Sequence, residues 1–114
     1  MSVYTPDRWA IIKIKKPDEV LYKLLGGWCG GYLGNDSWRL NSGIKRHEFD
    51  GNYWYFHGNS GSVYRCYVDS YGFTVLSSDV FENLKEKATI HYPEVEIEIV
   101  KDQAWVGKGW SWLD

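Results

Sequence analysis

The amino-acid sequence predicts an α+β domain: a twisted, mostly antiparallel sheet of about five to six short strands, one helix packed on a face, and an aromatic C-terminal tail. Three features point there. Short segments alternate apolar and polar residues between turn signals such as Asp50-Gly51 and Asn59-Ser60-Gly61. One stretch, Ser77 to Ala88, changes to a helical period. Trp105 to Trp112 holds three of the seven tryptophans, and because mobile tails are ordinarily polar, this one should pack across the domain or against a partner.

Arg8 to Lys16 reads as the first strand, with Trp9, Ile11 and Ile14 apolar, although Ile11-Ile12 breaks the alternation. Pro17-Asp18 ends it. Val20 to Leu25 carries apolar groups on both faces, which suits a central strand, and the glycine pairs Gly26-Gly27 and Gly30-Gly31 then interrupt. Ser37 to Ser42 sets Trp38, Leu40 and Ser42 on one face and Ser37, Arg39 and Asn41 on the other. Ile44 to Phe49 and Asn52 to His57 flank Asp50-Gly51, the strongest hairpin signal in the chain. Ser62 to Val68 follows the next turn. Between Ser77 and Ala88, Val80 or Phe81, Leu84 and Ala88 recur at helical spacing, with Asp79 and Glu82, or Ser77 or Ser78, as the N-terminal cap. Pro93 stops the helix, and Glu94 to Val100 alternates with Val95, Ile97 and Ile99 inward.

The 114 residues make a single globular domain, 1–114. A hydrophobic content of 44% and a charged content of 25% place it among ordered proteins. A formal charge of -2 argues against a general nucleic-acid binder, and is too mild for a mimic of DNA. Cys29 and Cys66 lack Cys-x-x-Cys spacing, fit a reducing compartment and read as small hydrophobes. The opening Met-Ser-Val-Tyr-Thr-Pro lacks the pattern of a secretory leader, and no apolar run is long enough to span a bilayer, so no membrane role is expected.

The functional signal lies between Gly26 and Arg65, where nine of the twelve glycines fall among aromatic and small polar residues. Glycine weakens a strand interior, so this density points to bulges, tight turns or close backbone approach. Trp28, Tyr32, Trp38 and Tyr64 sit in this neighbourhood and are suited to stacking on a flat ring; each is equally suited to the core of a small sheet domain. Arg39 and Arg65 stand between aromatics, where a guanidinium can fork a phosphate or pair with Asp36, Glu48 or Asp69. Asn41, Ser60 and Ser62 offer amides and hydroxyls for an anion or a ribose, or serve only as turn formers. His57, beside the serine turn, is the one candidate acid or base. No phosphate-loop or dinucleotide fingerprint occurs, His47, His57 and His91 have no metal spacing, and Glu94, Glu96 and Glu98 read as a solvated strand face. Neither cofactor nor metal is expected.

The segments Tyr4-Thr-Pro-Asp-Arg-Trp9, Gly30 to Ile44 (GGYLGNDSWRLNSGI) and Ser60-Gly-Ser-Val-Tyr-Arg-Cys66 resemble those of small accessory proteins of tailed bacteriophages. The resemblance implies a viral origin and action in the cytoplasm of the bacterial host, where such proteins often counter host defence. It brings no active-site motif to transfer. Together with the ring, arginine and serine cluster, it leads to the expectation of a non-enzymatic protein that sequesters a small nucleotide-like immune signal. The expected ligand contacts are Trp28, Tyr32, Trp38, Arg39, Asn41, His57, Ser60, Ser62, Tyr64 and Arg65. Two other readings stand beside it: an inhibitor of a host defence protein, using aromatic hot spots, and a small nucleotide hydrolase using His57. The apolar tail also suggests a homodimer.

Overall fold

The computed structural model of the chain describes residues 2–30 and 35–101. The expected packing of the tail and the expected contact Tyr32 lie outside them. Among the described residues the fold is α+β, with eight strands in two four-stranded sheets and one helix. The expectation of one sheet is therefore corrected to two. The strands are β1 (Val3–Tyr4), β2 (Arg8–Lys15), β3 (Val20–Trp28), β4 (Ser37–Leu40), β5 (Ile44–Phe49), β6 (Tyr53–Gly58), β7 (Val63–Tyr67) and β8 (Glu96–Ile99), and the helix α1 is Val75–His91. The outer sheet runs β1-β7-β6-β5 and the middle sheet β4-β3-β2-β8. Each pairing is antiparallel except that of β1 with β7.

The break at Ile11-Ile12 now has its reason: β2 is buried on both faces. Trp9 and Ile11 join Leu24, Trp54, Phe56, Tyr64 and Cys66 in the core between the sheets. Ile12, with Leu25 and Phe81, forms the second core, between the middle sheet and α1. A strand covered on both sides carries apolar residues in succession, and strict alternation is lost.

Trp9 and Tyr71 lock the layers together. The Trp9 ring packs 5.4 Å from Phe56 and edge-on to Tyr71 at 4.7 Å, and its indole N–H donates to the Tyr67 carbonyl at 2.7 Å. The Tyr71 hydroxyl accepts from the Ile11 amide at 3.0 Å and donates to the Val100 carbonyl at 2.6 Å. One side chain from the connection after β7 thus holds β2 beside the end of β8.

Gly26-Gly27 does not interrupt a strand, as the sequence suggested; both glycines lie inside β3. They mark close approach instead. A Cβ on Gly27 would stand 2.6 Å from Thr74 Oγ1 and 2.8 Å from Thr74 Cγ2, so the start of α1 lies directly on bare backbone. That start is also earlier than expected. Thr74, not Asp79 or Ser78, is the cap: its hydroxyl accepts from the Ser77 amide at 3.1 Å, and Ser77 Oγ accepts from the Thr74 amide at 2.8 Å. This reciprocal pair is a capping box in which serine replaces the usual Glu or Gln. Asp50-Gly51 does turn the β5–β6 hairpin, with Gly51 at φ 102° and Asp50 accepting from the Asn52 and Tyr53 amides. Cys66 is buried, and its burial pushes the thiol well up, whereas Cys29 is exposed and so is no core hydrophobe. Among the described residues no helix is long and apolar enough to cross a membrane.

Tyr71→Phe keeps the ring but leaves a buried amide and carbonyl without their partner, so urea denaturation should show a loss of about 1–3 kcal/mol. Gly27→Ala should cost about 1–3 kcal/mol by forcing Thr74 away from β3. Gly26→Ala, whose nearest neighbour is Pro6 Cβ at 3.1 Å, should cost less. Equal stability of the two alanine variants would mean that the α1 contact does not constrain this strand.

Candidate functional site

The N-terminal segment crosses from one sheet to the other and builds the aromatic corner of the molecule. Val63 donates its amide to the Ser2 carbonyl, and Val3 and Tyr4 pair in parallel with Val63 and Tyr64. Buried Pro6 then lies against Gly26, and the Asp7 amide donates to the Gly27 carbonyl at 2.9 Å. Trp28 donates its indole N–H to the Thr5 carbonyl at 3.0 Å, and the Asp7 carboxylate accepts from the Cys29 amide at 2.7 Å.

These contacts set Tyr4 at the centre of a cluster. Its ring is 5.2 Å from Tyr64 and 6.4 Å, edge-on, from Trp28, and the guanidinium of Arg39 lies 4.3 Å over it. Arg39 comes from β4, where it pairs with Gly26; a Cβ on Gly26 would meet Pro6 and Trp28, so the bare backbone there seats the segment that carries Tyr4. Tyr64 is 2% exposed, and burial raises the pKa of its hydroxyl while the Arg39 charge and hydrogen bond pull it down. Arg39 itself is exposed.

Three of the expected contacts, Trp28, Arg39 and Tyr64, are therefore gathered, around a tyrosine that the sequence did not single out. The only signal for Tyr4 was its place in a motif; a two-residue parallel strand has no periodicity to read. The other expected contacts go elsewhere. Trp38 points to the opposite face of the middle sheet, where it lines a cavity of about 190 Å³ with Val80, Asn83, Leu84 and Lys87. Asn41, 5% exposed, is a structural clamp: its Oδ1 accepts from the amides of Leu24 at 2.8 Å and Gly43 at 3.3 Å. The amides expected to await an anion at the serine turn are already engaged, Ser60 N–H on Ser42 Oγ at 3.1 Å and Gly61 N–H on the Gly58 carbonyl at 3.0 Å. The Ser62 carbonyl accepts from Gly58 at 2.8 Å.

Arg65 and His57 lie on the outer face of the outer sheet, away from Tyr64. Arg65 stacks on Tyr53 at 3.5 Å, and Tyr53 meets Tyr67 at 5.4 Å. The Tyr55 hydroxyl donates to Asp50 at 2.9 Å, and its hydrogen bond with Arg65 is the largest influence raising the pKa of that guanidinium. Asp50 is lowered, first by the Tyr53 amide and then by that of Asn52. His57 Nε2 faces Glu48 at 3.6 Å, and Glu48 also pairs with Arg46 at 2.6 Å. Comparison of the chain with known protein families, curated proteins and solved structures yields no match.

His47 lies on the other face of the same sheet, 5.7 Å from Trp54 and 6.3 Å from Phe56, and burial lowers its pKa. A histidine held neutral binds fewer protons folded than unfolded once the pH is below its ordinary value of 6.5. Its contribution to stability is therefore complete above that value and is lost as the pH falls toward the depressed folded pKa. His47→Gln should flatten the decline in stability between pH 7 and pH 5, read as urea midpoints across that range; an unchanged slope would remove His47 as its source.

Proposed function

We propose that the Tyr4 corner binds a small nucleotide-like ligand and sequesters it without chemistry, and that the chain serves a tailed bacteriophage against a nucleotide immune signal in the host cytoplasm. The observation that carries this reading is the exposed Arg39 guanidinium fixed over Tyr4 beside Trp28 and Tyr64. The guanidinium, stacked on Tyr4 and hydrogen-bonded to Tyr64, has further N–H groups with which to meet a phosphate, and the half-buried Trp28 ring beside it would receive a base. Among the described residues Arg39 is the single cation of this cluster, and Asp7 and Asp36 hold amides nearby. Such a charge balance suits one phosphate or phosphodiester better than a polyphosphate. The phage resemblance supplies the biological setting.

The outer face supports a second reading, a protein inhibitor, because Tyr53, Tyr55, Tyr67 and Arg65 form the tyrosine- and arginine-rich surface common at interface hot spots.

Purified protein mixed with nucleoside monophosphates and short cyclic or linear oligonucleotides, then washed and heated, should release intact ligand. Altered ligand would indicate hydrolysis instead. Arg39→Ala should weaken binding about ten- to a hundredfold, the effect of losing a charged hydrogen bond. Arg65→Ala, on the far face, should leave the affinity unchanged. Retention of none of these nucleotides by the intact protein, or equal affinity in Arg39→Ala, would reject the corner as the site and favour the protein partner.

A further inference from the structure

A cavity of about 670 Å³ opens beneath the C-terminal half of α1, away from every residue of the aromatic corner. Its walls are the β2–β3 turn (Lys16, Pro17, Asp18), the helix (Leu84, Lys87, Ala88, His91) and the lead-in to β8 with Ile97. The volume is in the range of small-molecule sites.

The cavity follows from one choice of side chain. Phe81 and Ala88 are seven residues apart, so they share a helix face, and both are buried toward the middle sheet. At the N-terminal end Phe81 fills the space with its ring, stacked 5.1 Å from Phe73 and packed on Ile12 and Leu25. Two turns later the same face presents only a methyl group. The helix is held on the sheet at Thr74 and Gly27, and the gap opens where Ala88 stands in place of a larger side chain.

Leu84, Ala88, Val95, Ile97 and Pro17 make the interior apolar. Charges occupy the mouth. Lys87 and His91 are one helical turn apart, both exposed, and among the described residues neither is in an ion pair; Lys16 pairs with Glu19 at 3.4 Å. Asp18 in the β2–β3 turn and Glu94 in the lead-in to β8 line the other two walls. An apolar body with one anionic head matches this layout: the chain fills the interior and the head meets Lys87 and His91. Ligands of several negative charges would meet repulsion from Asp18 and Glu94. We infer that this groove is a second binding site, for an amphiphilic monocarboxylate of the medium-chain fatty acid class, independent of the nucleotide reading.

The experiment is calorimetric titration of the intact chain with dodecanoate below its micellar concentration, with dodecanol as the uncharged counterpart. Saturable binding at one site is expected. Ala88→Phe should abolish it without lowering the unfolding midpoint, because the ring occupies the cavity. Lys87→Glu combined with His91→Glu, both on the helix surface, should weaken dodecanoate at least tenfold and leave dodecanol unchanged. This charge-reversed variant decides the matter if Ala88→Phe does not fold. Absence of saturable binding to the intact chain, full affinity in a folded Ala88→Phe, or indifference of dodecanoate to the charge reversal would each overturn the proposal. Adenosine monophosphate in parallel keeps the two sites apart, since its binding should respond to Arg39→Ala and ignore Ala88→Phe.

Discussion

The seating of Trp9 against Tyr71 is the constraint on which the three layers depend. β2 and β3 each contribute to both cores, and in β2 Trp9 is fully buried where it faces the outer sheet. Placing so large a ring between two sheets requires a partner for its N–H, and the Tyr67 carbonyl at the end of β7 provides it. Tyr71 closes the other side, bridging Ile11 to Val100 through one hydroxyl. Loss of a buried tryptophan side chain typically costs about 3–5 kcal/mol, a large part of the stability of a domain this size. The outer sheet, the middle sheet and the start of the C-terminal segment are thereby registered at a single point.

Glycine acts on this frame by letting backbone come close. At Gly27 it admits the first turn of α1, whose capping box would otherwise collide with a side chain. At Gly26, the partner of Arg39, it admits Pro6, which a side chain would push away together with the segment that carries Tyr4. Both effects come from the missing Cβ alone, since neither residue adopts a positive φ. The same pair of glycines thus fixes the helix on one face of the middle sheet and the aromatic corner on the other.

The corner and the groove divide the chemistry of the surface. The corner offers ring faces and one arginine, and its polar neighbours are already spent on backbone amides. The groove offers aliphatic volume with charges only at its mouth. A planar anion and a flexible amphiphile would each find one of these surfaces congenial and the other poor, because stacking needs rigid aromatic planes while an acyl chain needs aliphatic walls.

The sequence by itself determined what is local. The Asp50-Gly51 hairpin, the helical stretch around Phe81 and Leu84, the alternation of β8, and the opposition of Trp38 to Arg39 are all written in spacings of a few residues, and the structure has each of them. Only the tertiary structure decided what stands opposite each face. Alternation says that Arg39 and Trp38 diverge, but not that Tyr4 from a two-residue strand waits beneath the arginine. It says that Arg65 and Tyr64 diverge, but not that a second sheet covers Tyr64 and leaves Arg65 outside. The two sheets were hidden for the same reason: successive apolar residues in β2 signal burial on both sides without naming the layers. The groove was invisible as well, because a cavity is a property of what surrounds Ala88 and not of alanine.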